Sequence, residues 1–147
     1  MTKTMITGVA ALAATLAFAS PAAAAGLCPK PGSMNFANAP TMPKGVTDTI
    51  IGSVDLANEI GVDGRMLRTR RLVIQPGGVV PLHSHKDRPA LIYTLSGSIT
   101  EYSSTCSVPI EHKAGDISRE ADGLSHYWIN HGKVPAVLLS SDVFHGM

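Results

Sequence analysis

The chain has 147 residues, of which 44% are hydrophobic and 16% charged, and its formal net charge at neutral pH is +1. That length is one ordinary domain. A near-neutral charge, with no basic run and no aromatic-interleaved basic patch, weighs against nucleic acid as a partner and leaves a small-molecule or metal protein.

In chain order, residues 1–25 (MTKTMITGVAALAATLAFASPAAAA) place Lys3 ahead of an apolar run from Met5 to Ala19 and then close on small residues. This is the pattern of a secretory signal peptide, and the apolar run is too short to span a bilayer comfortably. Cleavage is expected after Ala24 or Ala25, which gives a periplasmic or secreted protein with no membrane attachment. Cys28 follows Leu27 rather than the small residue that lipid modification needs.

Residues 26–47 form an irregular leader rich in Pro, Gly and Asn. It carries Cys28, one of two cysteines in the chain; the other is Cys106. An oxidising compartment favours a Cys28–Cys106 disulfide, because the leader otherwise has little to hold it down. On the chain-entropy account, closing so long a loop contributes on the order of 4 kcal/mol.

From Asp48 onward, short β-branched and aromatic runs alternate with turn residues. TDTIIGSVDL, RMLRTRRLVI, VVPLHSH, ALIYTLSG, SITEYSST, HYWIN and PAVLLSSDVF read as strands; GVDG, QPGG, KDRP, LSGS, KAGD, EADG and NHGK read as turns. VDLANEIG suffices for one helical turn. The pattern predicts an all-β sandwich or barrel occupying residues 26–147 as one domain. Barrel closure aims alternate side chains of every strand at a common interior.

Two histidines interrupt one of these strands. His83 and His85 are two residues apart, so they project from the same face. His126 opens a later aromatic strand. Three imidazoles on two strands can define one metal site, with bonds of about 2.0–2.1 Å.

The segments that carry these histidines resemble the two motifs of the cupin superfamily. Gly77, His83, His85 and Gly97 fall on the spacing of the first motif; Gly115, Gly123, His126 and Asn130 fall on that of the second, with Ala121 in place of its proline. The resemblance implies a double-stranded β-helix, or jelly-roll barrel, with His83, His85 and His126 at the metal-ligand positions. It also implies a departure, since the glutamate that the first motif supplies as a ligand would fall at residue 90, which is Ala90. Three neutral imidazoles alone leave a divalent ion's charge uncompensated and favour an anionic or chelating ligand. Cupin dioxygenases include such three-histidine sites, whereas oxalate-type cupins keep the glutamate. Glu101, and less readily Asp87, are the carboxylates that could step in.

By strand phase, Ala90, Ile92 and Thr94 share one face, and Trp128 and Asn130 share the face of His126. These residues, with Glu101, are expected around the site, while Tyr127 and Ile129 face away. Arg65, Arg68, Arg70 and Arg71 are assigned to solvent, as are His112, His131 and His145. The ion favoured is Fe(II), with Mn(II), Zn(II), Ni(II) or Cu(II) equally served by imidazole. Two functions follow: a dioxygenase-like oxidoreductase on a small chelating or anionic substrate, or a non-catalytic periplasmic protein that binds a small molecule or metal chelate. Cupins often pair through a sheet, so the resemblance also allows a homodimer.

Overall fold

Period-two alternation, legible in most of the strand segments, closes into a barrel. The computed structural model describes residues 26–145, so the expected signal peptide lies outside the described residues. The strands are β1 (Lys44–Asp55), β2 (Arg65–Ser84), β3 (Ala90–Ser96), β4 (Ser98–Ser103), β5 (Ile110–Lys113), β6 (Ile117–Glu120), β7 (Ser125–Ile129) and β8 (Ala136–His145). They form one sheet in the order β5-β4-β7-β2-β8-β3-β6, with β1 paired to β2, and the listed pairings are antiparallel. One short helix, α1 (Leu56–Ile60), follows β1. Asp55 caps it by accepting from the Ala57 N–H at 2.9 Å, and Gly61 ends it in the left-handed region.

Three elements differ from the sequence reading. RMLRTRRLVI and VVPLHSH, expected as two strands across a QPGG turn, belong to the single 20-residue β2. The chain bends there instead of turning. Gly77 sits at φ +70°, and a Cβ at Gly78 would lie 2.7 Å from both the Gln75 carbonyl oxygen and Ile74 Cγ2, so only glycine fits. β5 and β6, read from sequence as turn and loop, are genuine four-residue strands. Their inward faces are polar at His112, Ser118 and Glu120, so the usual apolar-inward signal is missing. β1 also starts at Lys44, inside the stretch assigned to the leader.

The barrel interior has an apolar part and a polar part. Leu72, Ile74, Ile92, Ile99, Trp128 and Leu138 pack into one cluster; His85, Glu101, His112, Glu120, His126 and Asp142 are also buried. Asp142 on β8 joins three neighbours. Arg68 of β2 grips it with two hydrogen bonds, Nε at 2.9 Å and Nη2 at 2.8 Å, and the side chains of Arg70 and Arg88 approach it at 3.5 and 3.4 Å. Burial would raise the Asp142 carboxyl, but the Arg68 hydrogen bond and the charges of the three arginines outweigh it and hold the group below its usual range.

The leader is tied down as expected. Cys28 and Cys106 are disulfide-bonded, Pro31 bridges to Cys106, and the Ser107 N–H donates to the Lys30 carbonyl at 3.0 Å. Farther along, Leu82 N–H donates to the Pro40 carbonyl at 2.8 Å, and Phe36 packs edge-on to Tyr127.

Replacing both cysteines by serine should lower the unfolding free energy by up to about 4 kcal/mol, measured by urea titration. Asp142→Asn should cost about 3–5 kcal/mol at neutral pH, because it strips buried guanidinium groups of their counter-charge. The native pKa of Asp142 is depressed, so its contribution is complete above the unfolded value near pH 4 and disappears as pH falls through the native value. The stability gap between wild type and Asp142→Asn should therefore be constant from pH 7 to about pH 5 and shrink below about pH 4.

Candidate metal centre

The site is assembled by a bulge. Val80 of β2 pairs with Trp128 of β7, and His83 pairs with His126, so three steps on β2 match two on β7. The extra residue falls at Pro81–Leu82, where proline has no N–H to give to the ladder. The phase of β2 changes there, and His83 faces inward as Val80 does. His85 lies just past the strand end, held by its backbone N–H on the Leu124 carbonyl at 2.8 Å.

His83 Nε2 lies 3.1 Å from His85 Nε2 and 3.1 Å from His126 Nε2. Their other ring nitrogens face acceptors: His83 Nδ1 lies 2.8 Å from the Pro81 carbonyl, His85 Nδ1 lies 2.7 Å from the Arg88 carbonyl, and His126 Nδ1 lies 2.8 Å from Glu101 Oε1. A carbonyl can only accept, so the Nδ1 atoms of His83 and His85 carry the protons and their Nε2 lone pairs point at one another. Burial, with the neighbouring His126 and His85, brings His83 down to about 3, and burial also lowers His85. Bare lone pairs at this distance repel unless a cation lies among them.

The fourth donor is Glu120. Its Oε2 lies 2.9 Å from His85 Nε2 and 3.4 Å from His126 Nε2, and donor atoms of the four residues all fall within 4.8 Å of one another. Donors about 2.1 Å from a common ion lie about 3.0 Å apart at right angles and about 3.4 Å apart at the tetrahedral angle. Three of the four measured separations are nearer the right-angled value, which suits octahedral ions such as Fe(II) or Mn(II). Glu120 fits a cation in another respect. Burial pushes its carboxyl up to about 8, and its Oε1 is buried with no hydrogen-bond partner.

This corrects the expectation of a site without a carboxylate. Residue 90 is alanine, but Ala90 of β3 is the cross-strand partner of Glu120 of β6. The methyl of Ala90 leaves room for the neighbouring strand's carboxylate to reach the cluster. Residues 117–120 were not read as a strand because Ile117 faces solvent while Ser118 and Glu120 face inward. The missing glutamate was itself a signal, since a small residue at a position built for a long polar one leaves volume for a neighbour to fill.

Glu101 does not join the four donors. It lies behind His126, with Oε1 accepting from Nδ1 and Oε2 accepting from His112 Nε2 at 2.9 Å. Burial opposes its ionisation, but the hydrogen bonds from His112 and His126 prevail and hold it at about 2. An ionised acceptor at this place fixes the His126 tautomer and ring orientation, and makes the ring a stronger donor. His112, expected at the surface, is instead buried on β5 against Trp128, with ring centroids 4.7 Å apart.

The other expected residues divide. Ile92 and Trp128 line a cavity of about 390 Å³ that ends on His83, His85 and Glu120. Thr94 is buried but does not line it, and Asn130 braces a turn by donating to the Ile74 and Val134 carbonyls, both at 2.9 Å. Asp87 is an exposed partner of Arg65 and of the surface residue His145. Tyr127 faces outward, stacked on Tyr102. Arg70 was assigned to solvent, yet it lines the cavity, as does Arg88. Strand arginines are usually solvated, and nothing in RMLRTRRL showed that Asp48 and Asp142 would draw Arg70 inward.

If Glu120 stands in for the missing ligand, its position should be transferable. Glu120→Ala should weaken Fe(II) or Mn(II) binding by more than the roughly 10–100-fold expected for Glu101→Gln, which removes only an outer partner. Ala90→Glu introduced into Glu120→Ala should recover affinity, as read by competition with a chromophoric chelator.

The cupin domain model matches residues 70–142. A germin-like protein of Brassica napus is 35% identical over 97 residues, covering 64% of this chain and 44% of its own. The chain spans 38 to 44% of the length of the curated relatives it matches. Among solved structures, a predicted oxalate decarboxylase from Thermotoga maritima superposes with a TM-score of 0.58 at 22% identity, over 78% of this chain and 92% of that one. An oxalate oxidase in complex with glycolate superposes at 0.53 and 22% identity, over 75% of this chain and 54% of that one. Domain match, sequence relatives and barrel agree: the chain belongs to the cupin superfamily.

Proposed function

We propose that this protein is an exported, metal-dependent oxidoreductase of dioxygenase-like type, acting on a small anionic or chelating molecule. The observation that carries the reading is the convergence of His83, His85, Glu120 and His126 at the end of a cavity large enough for a small molecule. Fe(II) or Mn(II) is the ion of choice, because the donor spacing suits right-angled coordination and a carboxylate accompanies the imidazoles. Such an ion would supply redox chemistry and coordination positions open to substrate and O2. The chain's own residues do the rest. Pro81, Arg88 and Glu101 hold the three rings in one tautomer; Leu72, Ile92, Trp128 and Leu138 form the apolar wall that keeps bulk water from the substrate; half-buried His83 marks the open side. The disulfide supports export, since such bonds persist in oxidising compartments.

A second reading, a binding protein without turnover, draws on the cavity lining. Apart from the candidate ligands, its polar side chains are Asp48, Arg70, Arg88 and Ser140, and Asp48 is already paired with Arg70. None is a free general base. A ligand recovered unchanged after saturable quenching of Trp128 would favour this reading.

Protein purified without a histidine tag and reconstituted anaerobically should hold near-stoichiometric iron or manganese by elemental analysis. His126→Ala should lose it, and the loaded wild type should consume O2 when offered small acids, diketones or thiols. Absence of metal from the wild type after reconstitution would overturn the proposal.

A further inference from the structure

Arg70 and Arg88 open onto the cavity that ends at the four-donor cluster, and their charges are not fully matched. Arg68 is satisfied, because both its hydrogen bonds go to Asp142 and its guanidinium lies 3.8 Å from the centre of the Phe144 ring. Arg70 is bound to Asp48 and donates to Ser140 Oγ at 3.1 Å, but its Nε is buried with no partner among the described residues. Arg88 reaches an acid only through Nη1, 3.4 Å from an Asp142 oxygen that Arg68 already holds at 2.8 Å. Three guanidinium groups thus share two carboxylates, and one positive charge is left over beside the cavity. Burial and the nearby Arg70 both act against the charge on Arg88, as an unmatched cation in a shared pocket requires. A divalent ion in the cluster would add a further net positive charge after Glu120 is counted.

The group that matches a guanidinium fork is a planar oxyanion, a carboxylate above all. The remaining wall is apolar: Leu72, Val80, Ile92, Trp128 and Leu138. We propose that Arg88, backed by Arg70, is the carboxylate-binding subsite of this cavity, and that its ligand is a monocarboxylate with an apolar body lying against Ile92, Trp128 and Leu138. A two-carbon diacid has no apolar surface to set against that wall. The inference rests on the functional reading above for its cavity, but not for its affinity, which comes from the arginines and the wall.

Trp128 is the chain's single tryptophan and lines the cavity, so its emission reports occupancy. Metal-free wild-type protein is titrated with butanoate, hexanoate, hexanamide and oxalate. Hexanoate should give a saturable change, tighter than butanoate by roughly fourfold per buried methylene, while hexanamide and oxalate should give none at the same concentrations. Arg88→Gln should weaken hexanoate at least tenfold while leaving the thermal melt and iron loading unchanged, and Arg88→Lys should retain part of the affinity. Equal binding of acid and amide, or Arg88→Gln binding hexanoate like wild type, would overturn the proposal; the acid–amide comparison needs no variant. If hexanoate binds through Arg88 but no metal loads, the subsite stands and the oxidoreductase reading falls. If metal loads and hexanoate fails to bind, the reverse holds.

Discussion

Three imidazole nitrogens and a carboxylate oxygen pointed at one small volume are an arrangement that isolated side chains would not adopt. Once the Nδ1 protons of His83 and His85 are committed to carbonyls, their Nε2 atoms have only lone pairs to show each other. The repulsion must be balanced by a rigid frame and, when present, a cation. The frame is built from what surrounds the donors: His83 and His126 face each other across one ladder, Glu120 ends a strand paired to β3, and each ring has a fixed acceptor behind it. Holding donors ready for an ion costs folding free energy, and the disulfide and the packed Leu72–Trp128 cluster are among the features that offset it.

The same economy of charge runs through the interior. Glu101 is surrounded by two imidazoles and a hydroxyl, Asp142 by three guanidinium groups, and Glu120 by two of the candidate metal ligands. The first two carboxylates are satisfied by protein and are held below their usual range; Glu120, which faces the open cluster, is shifted the other way. Burial is common to all three, and what differs is whether a partner within the fold meets the negative charge. A buried acid that its own protein leaves unmatched is the one placed to meet something from outside.

Most of the fold was legible because β-branched alternation and glycine-bearing turns report directly on strand and turn geometry, and the paired motifs placed the three histidines. What escaped has a common cause. IEHK and ISRE are short, and their inward positions are polar, so period-two hydrophobicity is blank where His112, Ser118 and Glu120 point inside. The bend in β2 was read as a strand break because glycine and proline mark both. The role of Arg70 depends on Asp48 and Asp142, distant in sequence and adjacent only after β1, β2 and β8 have paired.

The Ala90–Glu120 pair carries a wider consequence. In an antiparallel sheet, directly opposed residues stand close enough for either to occupy the same interior point. A functional requirement is then attached to a location, and two strands in register can exchange responsibility for it through one substitution on each. Barrels of this family whose first motif ends in a small residue should accordingly be inspected at the facing strand before they are set aside as lacking an acidic ligand, because a linear pattern registers the vacancy and overlooks the tenant who moved next door.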